Sequence, residues 1–140
     1  MKAKYFNIKE FVSLNVYKKY GESAWRFIDE KLIITMDALR ENLGRPIIIN
    51  SYGRNLHQRG LRANKDEIVE SKTGYYISQH CLGKASDFHV VGMTIREVYD
   101  HILNNRELYP YIKRIENISK TPTWIHIDVA NTESNDINIF

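Results

Sequence analysis

Apolar and polar positions divide the chain into helical segments, short strands and one long polar stretch. Trp25, Ile28, Leu32, Met36, Leu39 and Leu43 recur at steps of three and four, the period of a helix with one apolar stripe, and Gly44 followed by Pro46 supplies its stop. Ahead of it, Asn7 with Glu10 three residues on has the form of a capping box and predicts a short helix to about residue 19, closed by Gly21. Thr94 and Glu97 repeat the device before a helix whose Ile95, Val98 and Ile102 keep helical spacing until Asn104 and Asn105. Residues 46–50 are a β-branched run bounded by Pro46 and a Ser-Tyr-Gly turn, which predicts a buried strand. Residues 85–91 alternate, with Asp87 and His89 on one face and Phe88 and Val90 on the other, until Gly92. Residues 111–116 and 124–129 read as two further strands, and residues 137–140 as an edge strand. Between residues 51 and 75 the pattern dissolves, apart from one expected helical turn over residues 56–61; loops of this length tend to serve binding.

These elements predict an α+β domain, helices packed on a small, mainly antiparallel sheet, and the 140 residues suit a single domain over 1–140. Composition agrees: 43% hydrophobic and 26% charged residues, with few Gly and Pro, exclude a disordered or fibrous chain. A formal charge of +3 suits an anionic polymer but is too small to argue for nucleic acid. No apolar run approaches the roughly 18 residues of a membrane span, so none is expected. The basic start Met1-Lys2-Ala3-Lys4 lacks the apolar region of a signal peptide because Lys9 and Glu10 interrupt it, which predicts a product made in the cytoplasm. The lone Cys81 excludes an internal disulfide and, with no Cys-x-x-Cys partner, reads as a buried core residue.

The chemistry gathers in two places. His80 and Asp87 stand seven positions apart around Gly83, with Asp87 on a predicted strand; His126 and Asp128 share one face of another while Ile125, Ile127 and Val129 face the core. Laying the two strands together would collect His80, Asp87, His89, His126 and Asp128. Two histidines and an aspartate suit zinc, and a catalytic zinc site keeps a fourth position for water, whose pKa it lowers to about 7. A nearby carboxylate must then move the proton, and Asp128 and Glu116 are the candidates.

Ser78-x-His80-x-x-Gly83-x-Ala85-x-Asp87 resembles the signature of the D-Ala-D-Ala carboxypeptidase and L-alanyl-D-glutamate endopeptidase family of zinc peptidases, whose fold is shared with Hedgehog domains. Trp124-x-His126-x-Asp128 is similar to that family's closing motif, and Ser51-Tyr52-Gly53-Arg54 to its Ser-Gly-Tyr-Arg turn. The resemblance spans nearly the whole chain. It implies a Hedgehog/DD-peptidase-like fold, one Zn2+ held by His80, Asp87 and His126, and a peptidoglycan stem peptide or cross-link as substrate. It also implies that Arg54 helps hold the substrate, a role its guanidinium fork suits; Ser78 and His89 are further candidate substrate contacts, with a structural role equally open for His89. Compact members without a signal peptide are often bacteriophage lysins that reach the wall through a holin or with the virion, and a monomer is expected. The chain departs from many members at Thr123, where a catalytic Asp or Glu stands three residues before the last histidine. A hydroxyl cannot serve as that base at neutral pH, so the role falls to Asp128 first and Glu116 next. The alternatives are a non-catalytic zinc domain of the same fold that binds peptidoglycan or a protein, and a metal-dependent nuclease, which the absence of a basic patch interleaved with aromatics disfavours.

Overall fold

In the computed structural model, which describes residues 1–140, the helix starts follow the capping chemistry. The Asn7 side chain accepts the Lys9 N–H while the Glu10 carboxylate accepts the Asn7 N–H, and helix α1 (Ile8–Phe11) begins there. It lasts one turn. Ser13 then caps a second helix, α2 (Leu14–Tyr20), by accepting the Val16 N–H, so the single helix expected over this stretch is two. Gly21 ends α2 with φ of 52°, and Gly21–Phe27 form a 3-10 segment. The main core helix, α3 (Glu30–Leu43), is capped by Asp29 and stopped by Gly44 at φ of 63°. Trp25 and Ile28 thus lie ahead of α3, yet both are buried with Leu32, Met36 and Leu39 in the same core.

The long polar stretch is not wholly irregular. It holds a 3-10 turn at Tyr52–Arg54 and the short helix α4 (Glu67–Glu70). The turn expected over residues 56–61 is absent: Leu56 bridges to Ser51, and Leu61 bridges to Val12. Thr94 caps α5 (Ile95–Asn104) through its hydroxyl oxygen, which accepts the Glu97 N–H at 3.1 Å.

Five short strands, β1 (Ile47–Ile48), β2 (Ala85–Val90), β3 (Arg114–Ile115), β4 (Ile125–Asp128) and β5 (Asn138–Ile139), form one sheet in the order β1-β2-β4-β3-β5. The first three pairings are antiparallel, whereas β5 runs parallel to β3, so the sheet is mixed. One face bears Phe88, Val90, Ile125 and Ile127, buried with the helices' apolar stripes; each such side chain contributes about 1.5–3 kcal/mol. The opposite face carries Asp87, Arg114, His126 and Asp128. No helix is long and apolar enough to cross a membrane.

The turn into β2 depends on Gly83. Its φ is 68°, and a Cβ there would collide with the carbonyl oxygen of Phe27, while its own carbonyl accepts the Asp29 N–H at 3.0 Å. Gly83→Ala therefore combines a left-handed backbone with overpacking and is expected to cost about 2–4 kcal/mol in denaturant unfolding. Gly74→Ala, where a Cβ meets nothing within 4 Å, is the control and stays within about 0.5 kcal/mol.

Candidate metal centre

Strand register brings the site together. Asp87 and His126 are directly opposite across β2 and β4, and Arg114 and Asp128 across β3 and β4, which sets each pair's Cβ atoms about 4.5–5.5 Å apart on one face. One further step of the β3 register sets Glu116 beside His126, whose carbonyl accepts the Glu116 N–H at 3.1 Å. His80 comes from the turn before β2.

His80, Asp87 and His126 are all buried, and their ligand atoms lie within 4.8 Å of one another. Each histidine has one nitrogen committed elsewhere. The His80 Nδ1–H donates to the Gly60 carbonyl at 2.9 Å, which turns Nε2 toward Asp87 Oδ1, 3.3 Å away. His126 turns Nε2 to Asp128 Oδ2 at 3.2 Å and Nδ1 to Asp87 Oδ1 at 2.7 Å. A backbone carbonyl behind one ligand and a carboxylate behind the other are the outer partners that fix imidazole orientation in metal sites. Two buried imidazole nitrogens and a buried carboxylate oxygen within 4.8 Å of one another suit a divalent cation such as zinc.

The charges respond to the same contacts. Burial alone would raise Asp87, but hydrogen bonds from His126 and His80, and their charges, hold it well below the usual carboxylate range. Burial alone would lower His126, but Asp128 and Asp87 push it up to about 9, so without metal it is an imidazolium donating to two carboxylates.

No protein-family model, curated protein or solved structure matches the chain. Its own geometry therefore carries the reading. A cavity of about 460 Å³ opens over the three ligands, lined also by Ser78, Glu116, Trp124 and Phe140. Glu116 is half-buried there, and its carboxylate has no hydrogen-bond or ion-pair partner in the protein.

Asp128, expected first as the base, is placed otherwise. It has no exposure, its oxygens take Arg114 Nε and Nη2 at 2.8–3.1 Å and the Ala130 N–H at 3.2 Å besides His126, and these contacts overcome burial to hold its pKa below the ordinary value. A carboxylate with its lone pairs so engaged orients His126. Arg54 is also displaced: it is exposed on the 3-10 turn and lines no cavity at the ligands, whereas Arg62 reaches Asp87 Oδ2 at 3.3 Å. No local signal singled out Arg62, which lies in the polar stretch where periodicity is absent. His89 lies outside the ligand cavity, with Arg59 Nη1 donating to its Nδ1 at 2.8 Å; burial first, then Arg59 and Arg54, lower its pKa. Thr123 is exposed. Cys81 is half-buried and not a ligand, with its Sγ 3.8 Å from the Ser78 hydroxyl.

A pH dependence follows. His126 titrates near 9 when metal-free against an ordinary 6.5, so its stabilising ion pairs are fully present below pH 6.5 and lost as pH rises through about 9. Asp87 and Asp128 are depressed below 3.8, so their contribution is present above that value and lost as pH falls through their folded values. A cation must displace the His126 proton. At pH 7 binding is expected to release about one proton per ion, read by calorimetry in buffers of different ionisation enthalpy, and metal affinity should climb with pH up to about 9.

Proposed function

We propose that the chain is a zinc-dependent peptidase of bacterial peptidoglycan, a hydrolase of the D-Ala-D-Ala carboxypeptidase and L-alanyl-D-glutamate endopeptidase type. The observation that carries this reading is the buried His80–Asp87–His126 cluster beneath a cavity into which one unpartnered carboxylate, Glu116, also faces. Zn2+ held by the three ligands supplies Lewis acidity toward a peptide carbonyl and toward water. Glu116 accepts the proton of the attacking water and delivers it to the departing amine nitrogen, so one residue serves as base and then acid. Asp128, clamped by Arg114, keeps the His126 ring turned so that Nδ1 faces Asp87. Arg62 neutralises the outer oxygen of Asp87, which leaves Oδ1 for the ion. Ser78 and Trp124 line the cavity and contact the peptide. A phage lysin, delivered to the wall through a holin or with the virion, is a setting this chemistry suits.

The test is digestion of purified peptidoglycan by the zinc-loaded chain, with and without a chelator, followed by mass spectrometry of the soluble fraction. Chelator-sensitive release of peptide fragments is expected, and their ends identify the bond cut. Intact wall material beside stoichiometrically bound zinc would sink the peptidase reading and leave a non-catalytic zinc domain.

A further inference from the structure

Strand β5 buries nothing of its own, since Asn138 and Ile139 are both exposed. Its backbone is nevertheless well tied. The Asn138 N–H donates to the Lys113 carbonyl at 2.8 Å, the Phe140 N–H donates to the Ile115 carbonyl at 3.1 Å, and the Phe140 carbonyl accepts the Asn117 N–H at 2.8 Å. What this pairing delivers is one side chain. Parallel register sets Asn138 beside Arg114 and Ile139 beside Ile115, and one further step brings Phe140 beside Glu116, on the sheet face that carries the ligands. Phe140 there lines the ligand cavity, half-buried.

The Phe140 ring touches two members of the centre. It stands perpendicular to the His126 imidazole, with centroids 5.6 Å apart and planes at 88°, while the His80 ring packs on the same imidazole at 5.1 Å and 64°. Over its face lies the Arg114 guanidinium, whose Cζ is 4.5 Å from the centroid, well inside the reach of the ring's attraction for a cation. That guanidinium is the one that donates to Asp128 through Nε and Nη2. Hydrogen bonds to Asp87 and Asp128 fix where the two nitrogens of His126 lie, but a ring held at two points can still swing about the line joining them. Such a swing carries the outward direction of Nδ1 away from the ligand group, and aromatic packing on the ring resists it.

We infer that Phe140 is a positioning residue of the metal centre, delivered by β5, which stops the His126 ring from swinging and holds Arg114 in place against Asp128. This rests on the ligand set of the peptidase reading and asks nothing of the substrate. It gives the exposed two-residue strand a purpose: the pairing of β5 with β3 fixes an aromatic face where His126 and Arg114 both need one.

The test compares Phe140→Ala, Phe140→Leu and Phe140→Tyr in the full chain, by competition for Zn2+ against a chromophoric chelator and by nitrogen NMR of the imidazoles in the metal-free protein. Removing an outer partner of a ligand costs about 10- to 100-fold in metal affinity, and Phe140→Ala is expected near the lower figure. Phe140→Leu keeps apolar bulk without an aromatic face and should recover little of the loss, whereas Phe140→Tyr should bind zinc like the wild type. In the metal-free spectra the His126 signals should shift and broaden in the Ala and Leu variants and stay sharp in the Tyr variant. His101, bonded to Tyr109, is the control whose signals keep their place. Wild-type zinc affinity or unaltered His126 signals in Phe140→Ala overturns the inference, and so does full rescue by Phe140→Leu, which would make the residue apolar filling. A wild type that takes up no zinc would remove the ligand reading, and the His126 signals of the metal-free chain would still decide whether Phe140 positions the ring.

Discussion

Replacing His80 with alanine is expected to abolish stoichiometric zinc binding, with a loss in affinity well beyond the 10- to 100-fold that removal of an outer partner typically costs. The reason is convergence: Nε2 of His80 is one of three ligand atoms within 4.8 Å, and the chain holds no further histidine or cysteine in that group. Asp87 and His126 alone would leave an ion with too few protein ligands for a structural or catalytic zinc site. The measurement is metal content after dialysis, together with competition against a chromophoric chelator. His89→Ala is the comparison, because His89 turns toward Arg59 and lies outside the ligand cavity; its zinc affinity should stay near wild type. Zinc that remained bound in His80→Ala would refute the ligand assignment outright. A second measurement guards against a folding artefact. His80 also ties its turn to Gly60 through Nδ1, so His80→Asn, whose amide nitrogen occupies the Nδ1 position and can still donate to that carbonyl, should fold while losing the metal.

The grouping of Asp87 with His126 was legible because strand alternation is a local rule. Once residues 85–91 and 124–129 are read as strands, Asp87 and His126 must each face away from the apolar side, and only a pairing of the two strands is needed to unite them. Register was not legible, and it is register that sets Asp128 apart from Glu116. Alternation places Asp128 beside His126, but only the pairing of β3 with β4 reveals that Arg114 stands directly opposite and consumes the carboxylate. The same register raises Glu116 from second candidate to the free acid of the cavity. Arg54 lies outside the ligand cavity for another reason. It was read from a motif in a polar stretch with no periodicity to orient it, and the chain there makes long-range contacts, Leu61 with Val12 and Arg62 with Asp87, that local spacing does not encode. The break between α1 and α2 was hidden because Ser13 within an apolar run reads as a tolerated polar position, although it is also a good N-cap.

Glu116→Gln and Asp128→Asn are expected to fail in opposite ways. If Glu116 moves the proton, its amide removes the base without touching a ligand: kcat should fall about 10²- to 10⁴-fold while zinc affinity and KM stay close to wild type. Asp128→Asn keeps the side-chain shape but exchanges one acceptor oxygen for an NH2 group, beside two donors of Arg114 and the Nε2–H of His126. One of those donors then faces another donor, His126 loses its orientation, and Arg114 loses its counter-charge. Zinc affinity should drop by about 10- to 100-fold, and activity should return when zinc is raised to saturation. The pair therefore separates proton transfer from ligand positioning in one experiment, with kcat at saturating zinc as the deciding quantity. Near-normal kcat in Glu116→Gln, with a persistent defect in zinc-saturated Asp128→Asn, would assign the base to Asp128 despite its burial and its three-way engagement.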